Sequence, residues 1–261
     1  MEGQGAYNAN SALQASGAAL ALPLLVEAAR SIRLDAEDGP IVVADYGSSE
    51  GRNSIVATKA VLPELRARSA RPILVTHIDV SVNDFSTLFE LVAHDKGGYA
   101  GADGVFACAV GRSFYRPALP ADHVHLGWSS YAAQWLSKMP SPITGHIFSQ
   151  RGQPCERQAF ADQARSDWET FLTLRCREMR KGACLVIVLP APDPNGSHPI
   201  LRLLRRAAGP GEALNRCRGG SFWTDRKGAC SGSLSAEIAG ARQRAAIQAQ
   251  ISDITCGKSI T

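Results

Sequence analysis

The chain predicts a doubly wound α/β fold built on a parallel sheet. Three observations carry that expectation. Five apolar runs of strand length recur before residue 190, with intervals between them. The first two runs each end on an acid, Asp45 and Asp79. A turn bracketed by glycines follows the first acid and leads directly into a helical stretch.

The opening segment GAYNANSALQ is too polar for a core strand. Ser11 or Asn10 can cap a helix from about Ala12 to Ile32. Tyr7, Ser11 and Gln14 then read, on their own, as a solvated arm with a capped helix. Ile41 to Ala44 is an apolar run bounded by Asp38-Gly39-Pro40, the mark of a buried parallel strand. Asp45 sits where it stops. Gly47 and Gly51 bracket the turn, and Asn53 with Ser54 can open a helix through Val56 to Arg68. The glycine spacing is not G-x-G-x-x-G, and no Lys-Ser/Thr is placed for a P-loop. An acid just ahead of the turn suits a cationic or hydroxyl-bearing ligand better than a pyrophosphate. The plainer alternative is a tight βα turn.

Pro72 to Asp79 is the second strand, and the interval from Asp45 suits a helix and a return in a right-handed βαβ unit. A carboxylate at this tip can accept from both hydroxyls of a ribose; a loop acid or helix cap is the alternative. Asn83 and Asp84 read as caps of a helix from Phe85 to Val92. His94 to Asp103 is a loop, and Gly104 to Val110 is the third strand. Gly111 to Tyr115 is a loop able to bring a hydroxyl and an aromatic face to a planar ring.

His123 to Trp128 is the fourth strand and runs into SSYAAQWLSKMP. Trp128, Tyr131 and Trp135, with Gln134, then stand at one strand terminus, either lining a slot for a planar ligand or filling the core. His123 and His125 alternate and face opposite sides, so they cannot chelate one metal. Pro140 to Pro154 reads as a loop or lid. Phe160 to Lys181 reads as an amphipathic helix stopped by Gly182, and Ala183 to Leu189 as the fifth strand.

Composition narrows the class. Apolar content of 45% and charged content of 20% are those of an ordinary globular protein. A net charge of +4, without a basic run interleaved with aromatics, argues against a nucleic-acid partner. The seven cysteines form no C-x-x-C pair or Cys/His cluster, which argues against structural zinc and suits a reducing compartment. The run from Ala18 to Ala29 contains Glu27 and reads as an amphipathic helix, neither a signal peptide nor a span. The expectation is a cytoplasmic protein with no membrane partner. After about Ala208 the character changes: residues 209–261 hold no valine, and seven basic against four acidic residues. They read as an atypical tail following a core of residues 1–208, with one helical stretch near Ser235 to Ile251.

Five segments, in order, resemble the SABATH methyltransferases, small-molecule carboxyl and nitrogen methyltransferases that use S-adenosyl-L-methionine. They are AYNANSALQ, VVADYGSSEGRNS, IDVSVNDFSTLF, GRSFYRPALP with HLGWSSYAAQWLSKMP, and FLTLRCREMRKGACLVIVL. The resemblance implies a Rossmann-like methyltransferase sheet. It implies that Tyr7, Asn10 and Ser11 close an arm over the donor, and that Asp45 holds its ammonium end. Gly47 would let the backbone approach, and Asn53 would support the turn. Asp79 would accept the ribose hydroxyls, with Val80 against the adenine and Ser113 and Phe114 contacting it. Gln14 and Trp135 would grip a substrate carboxylate, with Tyr131, Trp128 and Gln134 lining the pocket.

The implied activity is methyl transfer to the carboxylate of a small, aromatic carboxylic acid. A carboxylate is ionised at neutral pH and needs no general base, so the lack of a catalytic triad or metal cluster is expected. Methylation of another heteroaromatic nitrogen or oxygen is the nearest alternative, and a donor-binding but catalytically impaired relative, serving as a homodimer partner, is another. The chain departs from the pattern at Ser81-Val82, where Pro-Gly is usual, and at Trp128, where tyrosine is commoner. The region after Ala208 does not resemble the family's cap, which raises the expectation of a truncated or frame-altered end.

Overall fold

The computed structural model describes residues 3–34, 39–94, 97–143, 149 and 152–190, with the backbone of 247–253. The helices are α1 (Ala6–Asn10), α2 (Ala12–Ser31), α3 (Arg52–Arg68), α4 (Phe85–Ala93) and α5 (Pro154–Glu178). The strands are β1 (Ile41–Tyr46), β2 (Ile73–Asp79), β3 (Val105–Gly111), β4 (Val124–Ser130), β5 (Met179–Pro190) and β6 (Ile247–Asp253). By its internal contacts the chain forms two compact units. One comprises residues 1–135, 168–189 and 247–261; the other comprises 136–167 and 190–246. The expected boundary at residue 208 lies outside the described residues.

The first unit carries one sheet in the order β3-β2-β1-β4-β5-β6. Strands β1 to β5 pair in parallel. Strand order reverses between β1 and β4, and this switch point is where an open α/β sheet leaves a crevice at its carboxyl edge. Alternation along β1 explains the two cores. Ile41 and Val43 face a cluster with Leu25 and Ala28 of α2, Val61 and Leu65 of α3, and Leu88 of α4. Val42, Ala44 and Tyr46 face the other cluster, with Phe171 of α5. Helix α2 is long and apolar enough to cross a membrane by composition. Here its Gly17, Ala18, Ala21, Leu25, Ala28 and Ala29 are buried.

The five expected strands are present, with several shifts at their ends. Helix α5 begins at Pro154, inside the expected loop, and ends at Glu178 instead of Lys181. Strand β5 follows at once. Met179 already pairs with Val124, and the next partners are Leu126 and Cys184, so residues 180–183 bulge opposite His125. Gly182 therefore lies inside the strand segment at φ 80° and accepts a hydrogen bond from the Arg33 amide. Towards β1, on the other side of β4, His125 Nδ1 accepts from the Val42 amide at 3.1 Å. Ser11 stands between α1 and α2 without a side-chain capping bond, and α3 is led by Gly51 with no cap from Asn53 or Ser54. Residues 247–251 are strand, not the end of a helix.

Candidate functional site

Everything converges on the carboxyl ends of β1 and β2. Asp45 pairs in register with His77, and Asp79 follows two residues later on the same face of β2. The two carboxylates thus open on one side of the sheet, the side covered by α2 and α3. Asp79 accepts from the Ser49 amide through Oδ2 at 2.7 Å and from the Val80 amide through Oδ1 at 2.8 Å. Each oxygen keeps a further lone pair, so the group can still receive two hydroxyls. Burial raises its pKa, and the two amide bonds oppose the rise.

Asp45 is buried. Burial pushes its carboxyl up to about 7; the Ser54 hydroxyl bonded to it opposes the shift, and the Asp79 charge adds to it. A buried acid without a cationic partner is costly, and a positively charged ligand would restore its ordinary ionisation.

The turn between β1 and α3 is held from several sides. Asn83 Nδ2 donates to the Ser49 carbonyl at 2.8 Å, so Asn83 braces the turn and is not a cap. Asp84 is the cap, accepting from the Thr87 amide at 3.0 Å. Gly47 adopts φ 97°, and a Cβ there would collide with Ala132 Cβ. The close approach that demands glycine on that side is thus with Ala132, within the protein.

The arm carrying Tyr7 docks onto the same turn. Glu50, fully buried, accepts from the Asn8 amide at 3.1 Å, while Asn8 Nδ2 donates to the Glu50 carbonyl at 3.0 Å. Asn8 Oδ1 accepts from the Arg52 amide at 3.2 Å. This docking brings the Tyr7 hydroxyl to Asn53 and near both acids: burial and the Asp45 and Asp79 charges raise the phenol's pKa, and the Asn53 bond lowers it. Tyr7, Asn53, Asp45 and Asp79 therefore share one site. The expectation of a solvated arm is corrected: Asn8 and Ser11 are buried.

Other expected residues lie apart from this group or pack differently. Val80 is 37% exposed at the rim. Ser113 Oγ accepts from the Tyr115 amide at 3.2 Å, which shapes its own loop. Phe114 is a core residue, its ring 4.8 Å from Tyr115 and 5.8 Å edge-on from Phe171. Trp128 pairs with Asp45 in register and is buried on that face. Tyr131, at φ 54°, is also buried in the core, its hydroxyl so close to α2 that a Cβ at Gly17 would collide with it. Gln134 is exposed and Trp135 is 57% exposed, so the aromatics do not form one closed slot. Tyr115 fixes Trp135 instead, donating from its hydroxyl to the Trp135 carbonyl at 2.7 Å.

The loop bearing Ser113 is anchored by a buried ion pair that sequence reading missed. Arg175 donates to Glu178 Oε1 at 2.8 Å and to the Phe114 carbonyl at 2.8 Å. Its guanidinium lies 4.2 Å from the Tyr46 ring centroid. Glu178 also receives the Ala118 amide at 2.7 Å and the Tyr46 hydroxyl at 2.9 Å. In the sequence these two look like an ordinary i,i+3 pair on a helix surface.

This geometry matches what comparison with known proteins finds. The profile of a family described as SAM dependent carboxyl methyltransferase matches residues 1–203. The chain belongs to this family. A fungal relative, methyltransferase FUS9 of Gibberella moniliformis, is 33% identical over 190 residues, covering 72% of this chain and 50% of the relative. Gibberellic acid methyltransferase 2 of Arabidopsis thaliana is 30% identical over 208 residues, covering 73% and 53%. The structure of a loganic acid methyltransferase bound to S-adenosylhomocysteine superposes with a TM-score of 0.63 at 25% identity, covering 74% of this chain and 58% of that one. The chain thus spans about half the length of the curated relatives it matches.

The residues of this family member fit the donor its family uses. Among the described residues, several buried polar atoms lack a protein partner, including Gln14 Oε1, Ser48 Oγ, Glu50 Oε1 and Asn83 Oδ1. Three of these belong to the β1–α3 turn or its brace, and Gln14 is on α2. Gln14 Oε1 and Asn83 Oδ1 are acceptors that a ligand's ammonium group or hydroxyls would satisfy, and the Ser48 hydroxyl can also donate to a ligand carboxylate.

Proposed function

We propose that the chain binds S-adenosyl-L-methionine at the tips of β1 and β2 and serves methyl transfer to the carboxylate of a small, aromatic carboxylic acid. One observation carries the reading: Asp45 and Asp79 stand on one face of adjacent strands, beside the switch point, with the docked arm bringing Tyr7 to both. Asp45 would take the ammonium end of the donor, and Asp79 the ribose hydroxyls. When bound, the donor supplies an electrophilic methyl group on a sulfonium.

The chain's own residues bind and align. Asp45 offers a charge to a cation in a place where water is scarce. Asp79 offers lone pairs held at fixed angles by two backbone amides. Gln14, on the first turns of α2, and Trp135, beyond β4, offer N–H donors that can grip a carboxylate without protonating it. A carboxylate is already a nucleophile at neutral pH, so holding it in line is the main task, worth up to ~7–11 kcal/mol.

Composition supports a cytoplasmic setting without a nucleic-acid or membrane partner, and a homodimer is the partnership to look for. Calorimetric titration with S-adenosylhomocysteine, together with methyl transfer from labelled donor over a panel of aromatic and aliphatic acids, tests the proposal. Saturable binding and turnover of an aromatic acid are expected. Absence of binding would refute the site, and turnover confined to non-aromatic acids would refute the substrate class.

A further inference from the structure

Behind Asp45 lies a buried chain of hydrogen bonds that the donor would not touch. Ser54 on α3 bonds to the Asp45 carboxylate. The same Ser54 Oγ is 2.8 Å from His77 Nδ1. His77 Nε2 is in turn 2.6 Å from the hydroxyl of Tyr99, in the loop before β3. Ser54, His77 and Tyr99 are all buried, His77 completely. We propose that Ser54, His77 and Tyr99 are positioning residues, a relay whose direction of hydrogen bonding holds Asp45 as an acceptor facing the methyl donor. The inference rests on Asp45 serving the donor's ammonium group.

The donor and acceptor inventory fixes the relay's direction. An ionised Asp45 only accepts, so the single proton of the Ser54 hydroxyl must go to it. Ser54 Oγ can then only accept from His77, which requires the ring proton on Nδ1. Nε2 is left as an acceptor, and the Tyr99 hydroxyl supplies its proton. Burial drives His77 down to about 4, so the ring holds one proton at neutral pH, and burial raises the Tyr99 phenol, which keeps its own. Every member of the chain is satisfied in this arrangement.

With a proton on Asp45 the chain can run the other way, because the carboxyl is now a donor as well as an acceptor. In that direction the carboxyl hydrogen points to Ser54 Oγ, the Ser54 proton turns to Nδ1, and the ring proton moves to Nε2, facing the Tyr99 oxygen. The two directions differ by one proton, the one on Asp45. The tautomer of His77 therefore reports whether Asp45 is ready to receive a cation. The other groups facing Asp45 are Asp79 at the end of β2 and Tyr7 of the arm, with Trp128 its neutral neighbour on β4. None of these faces Asp45 as a cation to hold it ionised, so the relay and the ligand share that task.

Two measurements on the full chain test this. In nitrogen-15 NMR of labelled histidine, saturation with S-adenosylhomocysteine should place the His77 proton on Nδ1, and lowering the pH of the free protein below about 6 should move it to Nε2. In calorimetry, affinity for S-adenosylhomocysteine should fall as pH drops. Ser54→Ala should move the midpoint of that fall upward by about one pH unit, Tyr99→Phe by about half that, and Ser54→Thr should restore it.

The same tautomer in both states, or midpoints unchanged in both variants, would overturn the relay. Asp45→Asn separates the two ideas. Strong loss of affinity there, with no shift in the Ser54 and Tyr99 variants, removes the relay alone. Undiminished binding in Asp45→Asn removes the donor site and the relay with it.

Discussion

Asp79 and Ser49 are joined by a 2.7 Å hydrogen bond from the Ser49 amide, which ties the tip of β2 to the turn that follows β1. The acid thus braces the turn, and under the proposed function its spare lone pairs would receive the ribose hydroxyls. Asp79→Asn keeps the side chain's shape but replaces one oxygen by a donor. Its affinity for S-adenosylhomocysteine should drop by ~1.5–3 kcal/mol, roughly tenfold to hundredfold, measured by calorimetry at neutral pH.

Burial of Asp45 makes the stability of the ligand-free chain depend on pH. The carboxyl ionises near 3.8 when unfolded and holds its proton up to about 7 when folded. The folded state therefore binds the extra proton between those values. The group's contribution to stability is complete below the unfolded value and is lost as pH rises through about 7, a difference of at most ~4 kcal/mol. Ligand-free Asp45→Asn should melt above the unmutated chain at about pH 8, with the gap closing towards pH 4. Equal melting temperatures at both pH values would contradict the upward shift that burial gives this acid.

Breaking the Arg175–Glu178 pair should be costly. Glu178→Ala leaves a buried guanidinium without its counter-charge and strips the Ala118 and Leu119 amides of their acceptor. A loss of ~3–5 kcal/mol in urea unfolding is expected. Tyr46→Phe, which removes one hydroxyl bonded to the same carboxylate, should cost only ~1 kcal/mol.

Gly47→Ala should lose ~2 kcal/mol or more, because L residues resist φ 97° and because the new methyl would overlap Ala132. Thermal unfolding of the ligand-free variant checks this without reference to activity.

For the proposed acid substrate, Gln14→Ala and Trp135→Phe should each lower kcat/KM by roughly tenfold to hundredfold, the worth of one hydrogen bond to a carboxylate. Their dissociation constants for S-adenosylhomocysteine should stay within about twofold of the unmutated chain. Kinetics unchanged in both variants would move the carboxylate grip elsewhere.

Much of the frame was readable from residue order. Apolar runs leading to Asp45 and Asp79 located β1 and β2 to within two residues, and Gly47 and Gly51 located the turn after β1. The start of β5 was not readable, because Arg180, Lys181 and Gly182 look like a helix end; their polarity reflects a bulge away from the ladder. His77 passed as an ordinary member of an apolar strand, although it anchors buried bonds on both ring nitrogens. Glu50 and Asn8 carry no local signal of burial in the sequence. Their burial follows from an arm–turn contact 42 residues apart, which no local pattern encodes. Trp128, Tyr131 and Trp135 were expected either to line a slot or to fill the core; Trp128 and Tyr131 fill the core, while Trp135 stays exposed.

The Glu178 carboxylate closes a loop that was synthesised some sixty residues earlier, through the Ala118 and Leu119 amides. During translation, the segment around Ser113 must therefore wait for the end of α5 to leave the ribosome before it can settle. A nascent chain released short of that point would lack the carboxylate that receives the Ala118 and Leu119 amides, and the loop after β3 would have nothing to lean on.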